Sequence, residues 1–171
     1  EYYNAAASVT LPFTVTKAYQ TITFGQIKEA VYGDAPIRLS ANSTSALDVY
    51  FESSDENIAK IDGCNAIIVG AGTCYITART VNSPNYFDAA PVERELTVNK
   101  AVQSIVMNDL PDMTYGDTPF ELSAQASSGQ AITFTSSKPN IVFVSGNTAR
   151  IMGAGTVQIT ATQQGSDNYK K

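Results

Sequence analysis

Apolar and polar residues alternate at period two through most of the chain, the spacing expected of strands that bury one face. Ile22 with Phe24, Val49 with Phe51, Cys74 with Ile76 and Ala78, and Leu96 with Val98 form inward-facing sets; Ile105 with Met107, Ile132 with Phe134, and Val157 with Ile159 and Ala161 form a second series. Between the runs stand Tyr32-Gly33-Asp34-Ala35-Pro36, Ser53-Ser54-Asp55 and Ser145-Gly146-Asn147, and these Gly, Pro, Asn, Asp and Ser clusters are turn chemistry. No segment carries a sustained i, i+3, i+4, i+7 apolar stripe with a capping box. The pattern predicts an all-β chain of short strands, with a turn about every 8–12 residues and almost no helix.

The two series are one series repeated. Tyr32-Gly33-Asp34 recurs as Tyr115-Gly116-Asp117, Gly70-Ala71-Gly72-Thr73 as Gly153-Ala154-Gly155-Thr156, and Asn85-Tyr86 as Asn168-Tyr169, each 83 residues further on (115 − 32, 153 − 70, 168 − 85). The same offset carries Tyr3 to Tyr86, Ala6-Ala7 to Ala89-Ala90, Val9 to Val92, and Val15-Thr16-Lys17-Ala18 to Val98-Asn99-Lys100-Ala101. The first eighteen residues thus copy a segment in the middle of the chain. No gap is needed, so loops and strands have kept their lengths, as a recent duplication within a longer array would leave them. More copies are expected on either side. The chain opens on Glu1 without a charged-then-apolar leader, and the expectation is an excised piece whose targeting signal lies elsewhere.

Composition narrows the function classes. With 43% hydrophobic and 16% charged residues, the 171-residue chain has the balance of a packed fold rather than a disordered one. The apolar stretch from Ala66 to Ile76 is broken by Gly70 and Gly72 and stops short of the roughly 20 residues of a bilayer span, so no membrane insertion is expected in this segment. Eleven Lys plus Arg against sixteen Asp plus Glu, a net −5, leave no basic footprint for nucleic acid. The absence of histidine removes the side chain best suited to proton transfer near neutral pH and the commonest catalytic-zinc ligand. The expectation is no enzyme and no cofactor.

Strands at this density point to an antiparallel sandwich of immunoglobulin type, its core built from Ile, Val, Leu, Phe and Tyr because the chain has no Trp. The succession Leu96-Thr97-Val98-Asn99-Lys100-Ala101, Tyr115-Gly116-Asp117-Thr118-Pro119-Phe120, Leu122-Ser123-Ala124, Ser136-Ser137, Val144-Ser145-Gly146-Asn147, Gly153-Ala154-Gly155-Thr156, Ile159-Thr160-Ala161 and Asp167-Asn168-Tyr169 resembles the bacterial immunoglobulin-like repeats of the MBG type. The resemblance covers the entire chain in both copies. It implies two tandem immunoglobulin-like β-sandwich domains and a place in a large secreted or surface-anchored bacterial protein, often an adhesin. It implies function only loosely, because fold does not determine function.

Where one repeat ends is open. In one reading residues 1–17 are a strand from the preceding repeat, 18–99 the first repeat and 100–171 the second, which then lacks its own last strand. The alternative seam divides the chain into 1–87 and 88–171. Under the first reading, an orphan strand and an open sheet edge are complementary defects, and Val9 to Thr16 is expected to pair with the edge left by the second repeat, most simply in a neighbouring molecule. The short connection Asn99 to Val102 predicts repeats held end to end in a semi-rigid rod.

Candidate chemistry is sparse. Cys64 and Cys74, the only cysteines, are either two free thiols, one a core filler, or a disulfide closing an eleven-residue loop. The bridge would contribute about 2–3 kcal/mol by chain entropy. The resemblance favours it, since such repeats often carry a cysteine at the Gly-Thr-Cys position with a partner in or near the preceding turn; a disulfide also accords with an extracellular, cell-surface location. Asp34 and Asp117, in the Tyr-Gly-Asp-x-Pro turns, are weak calcium candidates, although an Asp so placed more often caps its own turn. Glu52, Asp55 and Glu56 read as a solvated loop, and Gly70-Ala71-Gly72 and Gly153-Ala154-Gly155 as tight turns, because no Lys and no helix follow to hold a phosphate. Tyr3, Tyr86 and Tyr169 are expected to pack on a neighbouring repeat, the alternative being an exposed ring stacking on a sugar. The function expected is a stalk or spacer of a surface adhesin, serving attachment or surface gliding, whose partners are the neighbouring repeats, with surface glycan or protein engaged through other parts of the parent. The alternative is a repeat that itself binds glycan or another surface protein.

Overall fold

Every buried β-strand needs a neighbour for its amide groups and a covering face for its apolar side chains, and the two repeats meet these needs unequally. The computed structural model describes residue 2 and residues 4–171; Tyr3 lies outside them. Among the described residues there are sixteen strands and no helix. The first repeat contains β1 (Ile22–Phe24), β2 (Ala30–Val31), β3 (Ile37–Arg38), β4 (Ala41–Ser43), β5 (Val49–Ser53), β6 (Ala59–Asp62), β7 (Asn65–Ile68), β8 (Gly72–Thr80) and β9 (Val92–Asn99). The second contains β10 (Ile105–Met107), β11 (Phe120–Glu121), β12 (Ala124–Ala126), β13 (Thr133–Ser136), β14 (Val142–Ser145), β15 (Thr148–Ile151) and β16 (Ile159–Thr162).

The sheets are small. In the first repeat they are β1-β4, β3-β7-β6 and β2-β9-β8-β5; in the second, β10-β12, β11-β15-β14 and β13-β16. All pairings are antiparallel except β2 with β9. The long β8·β9 ladder runs from Gly72↔Val98 to Ala78↔Val92. Alternation along it sends Cys74, Ile76, Leu96 and Val98 into the core, where Ile76 and Leu96 are completely buried. Ile22, Phe24, Leu39, Phe51, Ala59 and Ala66 from the other elements complete one cluster, with the Phe24 and Phe51 rings 5.3 Å apart.

The second repeat keeps the parity of this pattern and loses its depth. Its buried apolar residues are Leu122, Val142 and Ala149, with Phe120, Phe134, Ile141, Val144, Val157 and Ile159 half-covered around them. Met113-Thr114, which matches β2, is irregular; β2 takes its only ladder from β9, and the positions that match β9 at this offset fall past Lys171.

Val9 to Thr16, expected as a strand, is without sheet pairing in the single chain. The described residues before Ala18 are exposed and irregular, and the chain joins the fold at the Ala18–Tyr86 bridge. Two turn glycines make the Gly-Ala-Gly loops necessary. A Cβ on Gly70 would lie 2.5 Å from the Asn57 carbonyl oxygen, and Gly72 adopts φ +150° with Ile58 packed where its side chain would go.

Candidate functional site at the joint between repeats

The residues that tie each repeat to the segment before it form one hydrogen-bonded staple, and it occurs twice at the 83-residue offset. In the second repeat Ala101 bridges Tyr169 in parallel; its N–H donates to the Asn168 carbonyl at 2.9 Å, and its carbonyl accepts from the Lys170 N–H at 2.8 Å. Lys100 Nζ reaches the Ser166 carbonyl at 2.7 Å, and Gln103 Nε2 the Lys170 carbonyl at 2.6 Å. In the first repeat Ala18 N–H donates to the Asn85 carbonyl, Phe87 N–H to the Ala18 carbonyl, Lys17 Nζ to the Ser83 carbonyl and Gln20 Nε2 to the Phe87 carbonyl, all between 2.8 and 2.9 Å. Gln20 accepts from Ser45 and Gln103 from Ser128, so each glutamine is held at both ends of its amide. The serines cap the turn: Ser166 Oγ accepts the Asn168 and Tyr169 N–H groups, as Ser83 Oγ accepts that of Asn85.

This staple aims Asn168 and Tyr169 at the first repeat. The Ala71 N–H, in the Gly70-Ala71-Gly72 turn, donates to Asn168 Oδ1 at 2.8 Å across 97 residues of sequence. The Tyr169 and Tyr32 rings form a T-shaped pair at 5.4 Å between centroids and 80° between planes, within the favourable range for aromatic pairs. Both motifs that the period singled out, Tyr-Gly-Asp and Gly-Ala-Gly, therefore present one face to the next repeat's Asn-Tyr. A side chain at residue 70 would press on the joint as well, since its Cβ would approach Asn168 Oδ1 to 3.5 Å. Period and motif located these residues in the sequence; that Asn168 faces Ala71 required the relative placement of the repeats, for which no local signal exists.

The other candidates separate. Asp34 Oδ2 accepts its own turn's Val31 N–H at 2.8 Å, and Asp117 Oδ2 the Thr114 N–H at 2.7 Å. Each is a turn cap, and among the described residues no three His, Cys, Asp or Glu side chains converge as a metal site. Glu52 pairs across the β5·β8 ladder with Arg79 at 2.7 Å, while Asp55 Oδ1 binds the N–H and side-chain amide of Asn57. Glu52 and Asp55 are thus spent locally, and Glu56 is exposed.

The disulfide expected between Cys64 and Cys74 is not formed; both are free thiols. Cys64 is exposed in the turn between β6 and β7, whereas Cys74 points inward from β8, a strand of a different sheet. Burial pushes the Cys74 thiol up from its ordinary value; a hydrogen bond with Ser53 opposes the shift and the Asp55 carboxylate adds to it. Tyr19 and Phe87, at the end of the first repeat away from the joint, stack on each other at 5.0 Å with both rings exposed, and the second repeat has Val102 and Lys170 in their places. No family model matches the chain, and no curated protein matches it.

Proposed function

We propose that the two repeats are tandem immunoglobulin-like sandwiches and that the chain is a non-enzymatic stalk segment of a large bacterial cell-surface or secreted adhesin. The observation that carries this reading is the joint: a backbone N–H of one repeat bonded to Asn168 of the next, and Tyr32 against Tyr169, on a four-residue connection. A module that acts alone has no need to present a neighbour-facing asparagine and tyrosine at the same place in each period. The mechanism is mechanical. Each repeat adds length, its antiparallel ladders resist extension, and the stapled joint passes load without a flexible hinge. The net charge of −5 keeps an exposed rod soluble.

Small-angle scattering on the wild type and on Asn168→Ala/Tyr169→Ala tests it. The stalk reading expects a single extended shape for the wild type and a broadened distribution of lengths for the double variant, with both repeats still folded by circular dichroism. Equal flexibility in the two proteins would remove it. One observation favours ligand binding as a second reading: the exposed Tyr19–Phe87 stack has the flat apolar surface on which a sugar ring packs. Saturation-transfer NMR with surface polysaccharide, compared with Phe87→Ala, reads that directly.

A further inference from the structure

The joint brings two phenols together. The Tyr32 and Tyr169 rings stand 5.4 Å apart between centroids, and among the described residues they are the one aromatic pair made of two tyrosines: Tyr19 meets Phe87, and Phe24 meets Phe51. Both are half-buried, so each ring is packed and still partly open to solvent. Their hydroxyls take no part in the hydrogen bonds that hold the joint. Phenylalanine would therefore give the same T-shaped contact. The period keeps tyrosine at both places nonetheless: Tyr115 stands 83 residues after Tyr32, and Tyr86 stands 83 before Tyr169.

We propose that Tyr32 and Tyr169 are a site of oxidative cross-linking, where hydrogen peroxide acting through a haem peroxidase closes the joint covalently as a dityrosine. Each phenol gives one electron to the oxidant and its hydroxyl proton to water. The two phenoxyl radicals couple through ring carbons next to oxygen, forming one C–C bond. The hydrogens on those carbons then move to the oxygens and restore both rings. Two electrons and two protons leave the protein and, with hydrogen peroxide, end as two waters. This chemistry needs the joint's geometry but not the stalk role.

Coupling needs two radicals at one place, so it is fastest where two tyrosines are already held together. The staple holds them. Ser166 Oγ accepts the Tyr169 N–H, and the adjoining Asn168 is tied to the Ala71 N–H at 2.8 Å. The chain has no Trp and no His to divert the oxidation, Cys74 is buried, and Cys64 is the one exposed thiol. The bond would join residues 137 apart (169 − 32) and enclose the second repeat, β10 to β16, in a covalent loop. Load carried along the chain would then cross the bond and bypass the second repeat, whose core is the smaller of the two.

Peroxidase treatment of the dilute full chain carrying Cys64→Ser tests this. Hydrogen peroxide with a haem peroxidase should give a monomer lighter by two hydrogens, with dityrosine fluorescence and, after proteolysis, one linked peptide pair containing Tyr32 and Tyr169. Tyr32→Phe and Tyr169→Phe keep the ring, and each should lower the monomer's fluorescence about tenfold or more. Tyr19→Phe should match the parent. Pulled from its ends, the oxidised chain should reach a full length about 480 Å shorter than the untreated one, at roughly 3.5 Å per residue, and lose the unfolding step of the second repeat. A monomer without dityrosine, or fluorescence that survives either change at the joint, overturns the proposal. A single extended shape in scattering without cross-linking would sink the covalent lock and leave the stalk reading standing.

Discussion

Cys64 and Cys74 differ in the property that governs thiol chemistry, access of the thiolate to solvent. A maleimide should label Cys64 at once and Cys74 only on unfolding, one equivalent and then two by mass spectrometry; no label on the native protein would mean a bridge after all. Because burial raises the Cys74 pKa, the fold favours the neutral thiol more than the unfolded chain does. The stability so gained is whole below the ordinary thiol value, about 8.5, and is lost as pH rises through the folded value. Urea midpoints of the first repeat should therefore fall on the alkaline side, more steeply than in Cys74→Val; parallel pH profiles would contradict this. Ala46 marks another residue-scale difference. It occupies the left-handed region at φ 59°, where the second repeat has Gly129 at φ 70°. Ala46→Gly relieves the Cβ strain and adds unfolded-state entropy, a net stabilisation of about 0.5 kcal/mol, and Gly129→Ala should destabilise by a similar amount, both read from denaturant curves.

At the scale of the element, β9 shows how a covering strand decides what an alternating pattern can do. Leu96, wholly buried, should cost about 2–5 kcal/mol of first-repeat stability on replacement by alanine. Phe13, at the same place in the period and exposed, should cost nothing in the monomer on the same change. Calorimetry reads both, with Phe13→Ala leaving the melting temperatures unchanged. Val157, Ile159 and Ala161 have the parity of Cys74, Ile76 and Ala78, which are buried, but are themselves only partly covered. The period alone therefore foretells inward-facing positions, not how deeply they are buried.

The whole molecule should unfold in two steps for the same reason. The first repeat owns a core of thirteen buried residues and the second one of three, and apolar burial is the main favourable term in folding. The lower thermal transition is expected from the second repeat. A single transition would argue that the repeats share one cooperative unit. The joint couples their positions by one hydrogen bond, worth about 1 kcal/mol, and one aromatic contact, enough to orient repeats and too little to merge their unfolding.

The all-β character, the 83-residue period, the inward-facing sets and the capping role open to Asp34 and Asp117 were legible in the amino-acid sequence, because side-chain alternation and turn chemistry are local. Cys74 as a core position and Cys64 as a turn residue were legible on the same grounds. That the two thiols stand apart, that Asn168 meets Ala71, and that Val9–Thr16 has no partner within its own chain were decided by tertiary structure alone. A strand's pattern states which face it will bury and its backbone demands a neighbour, but the neighbour lies far off in sequence, and only the placement of distant segments determines whether that demand is met.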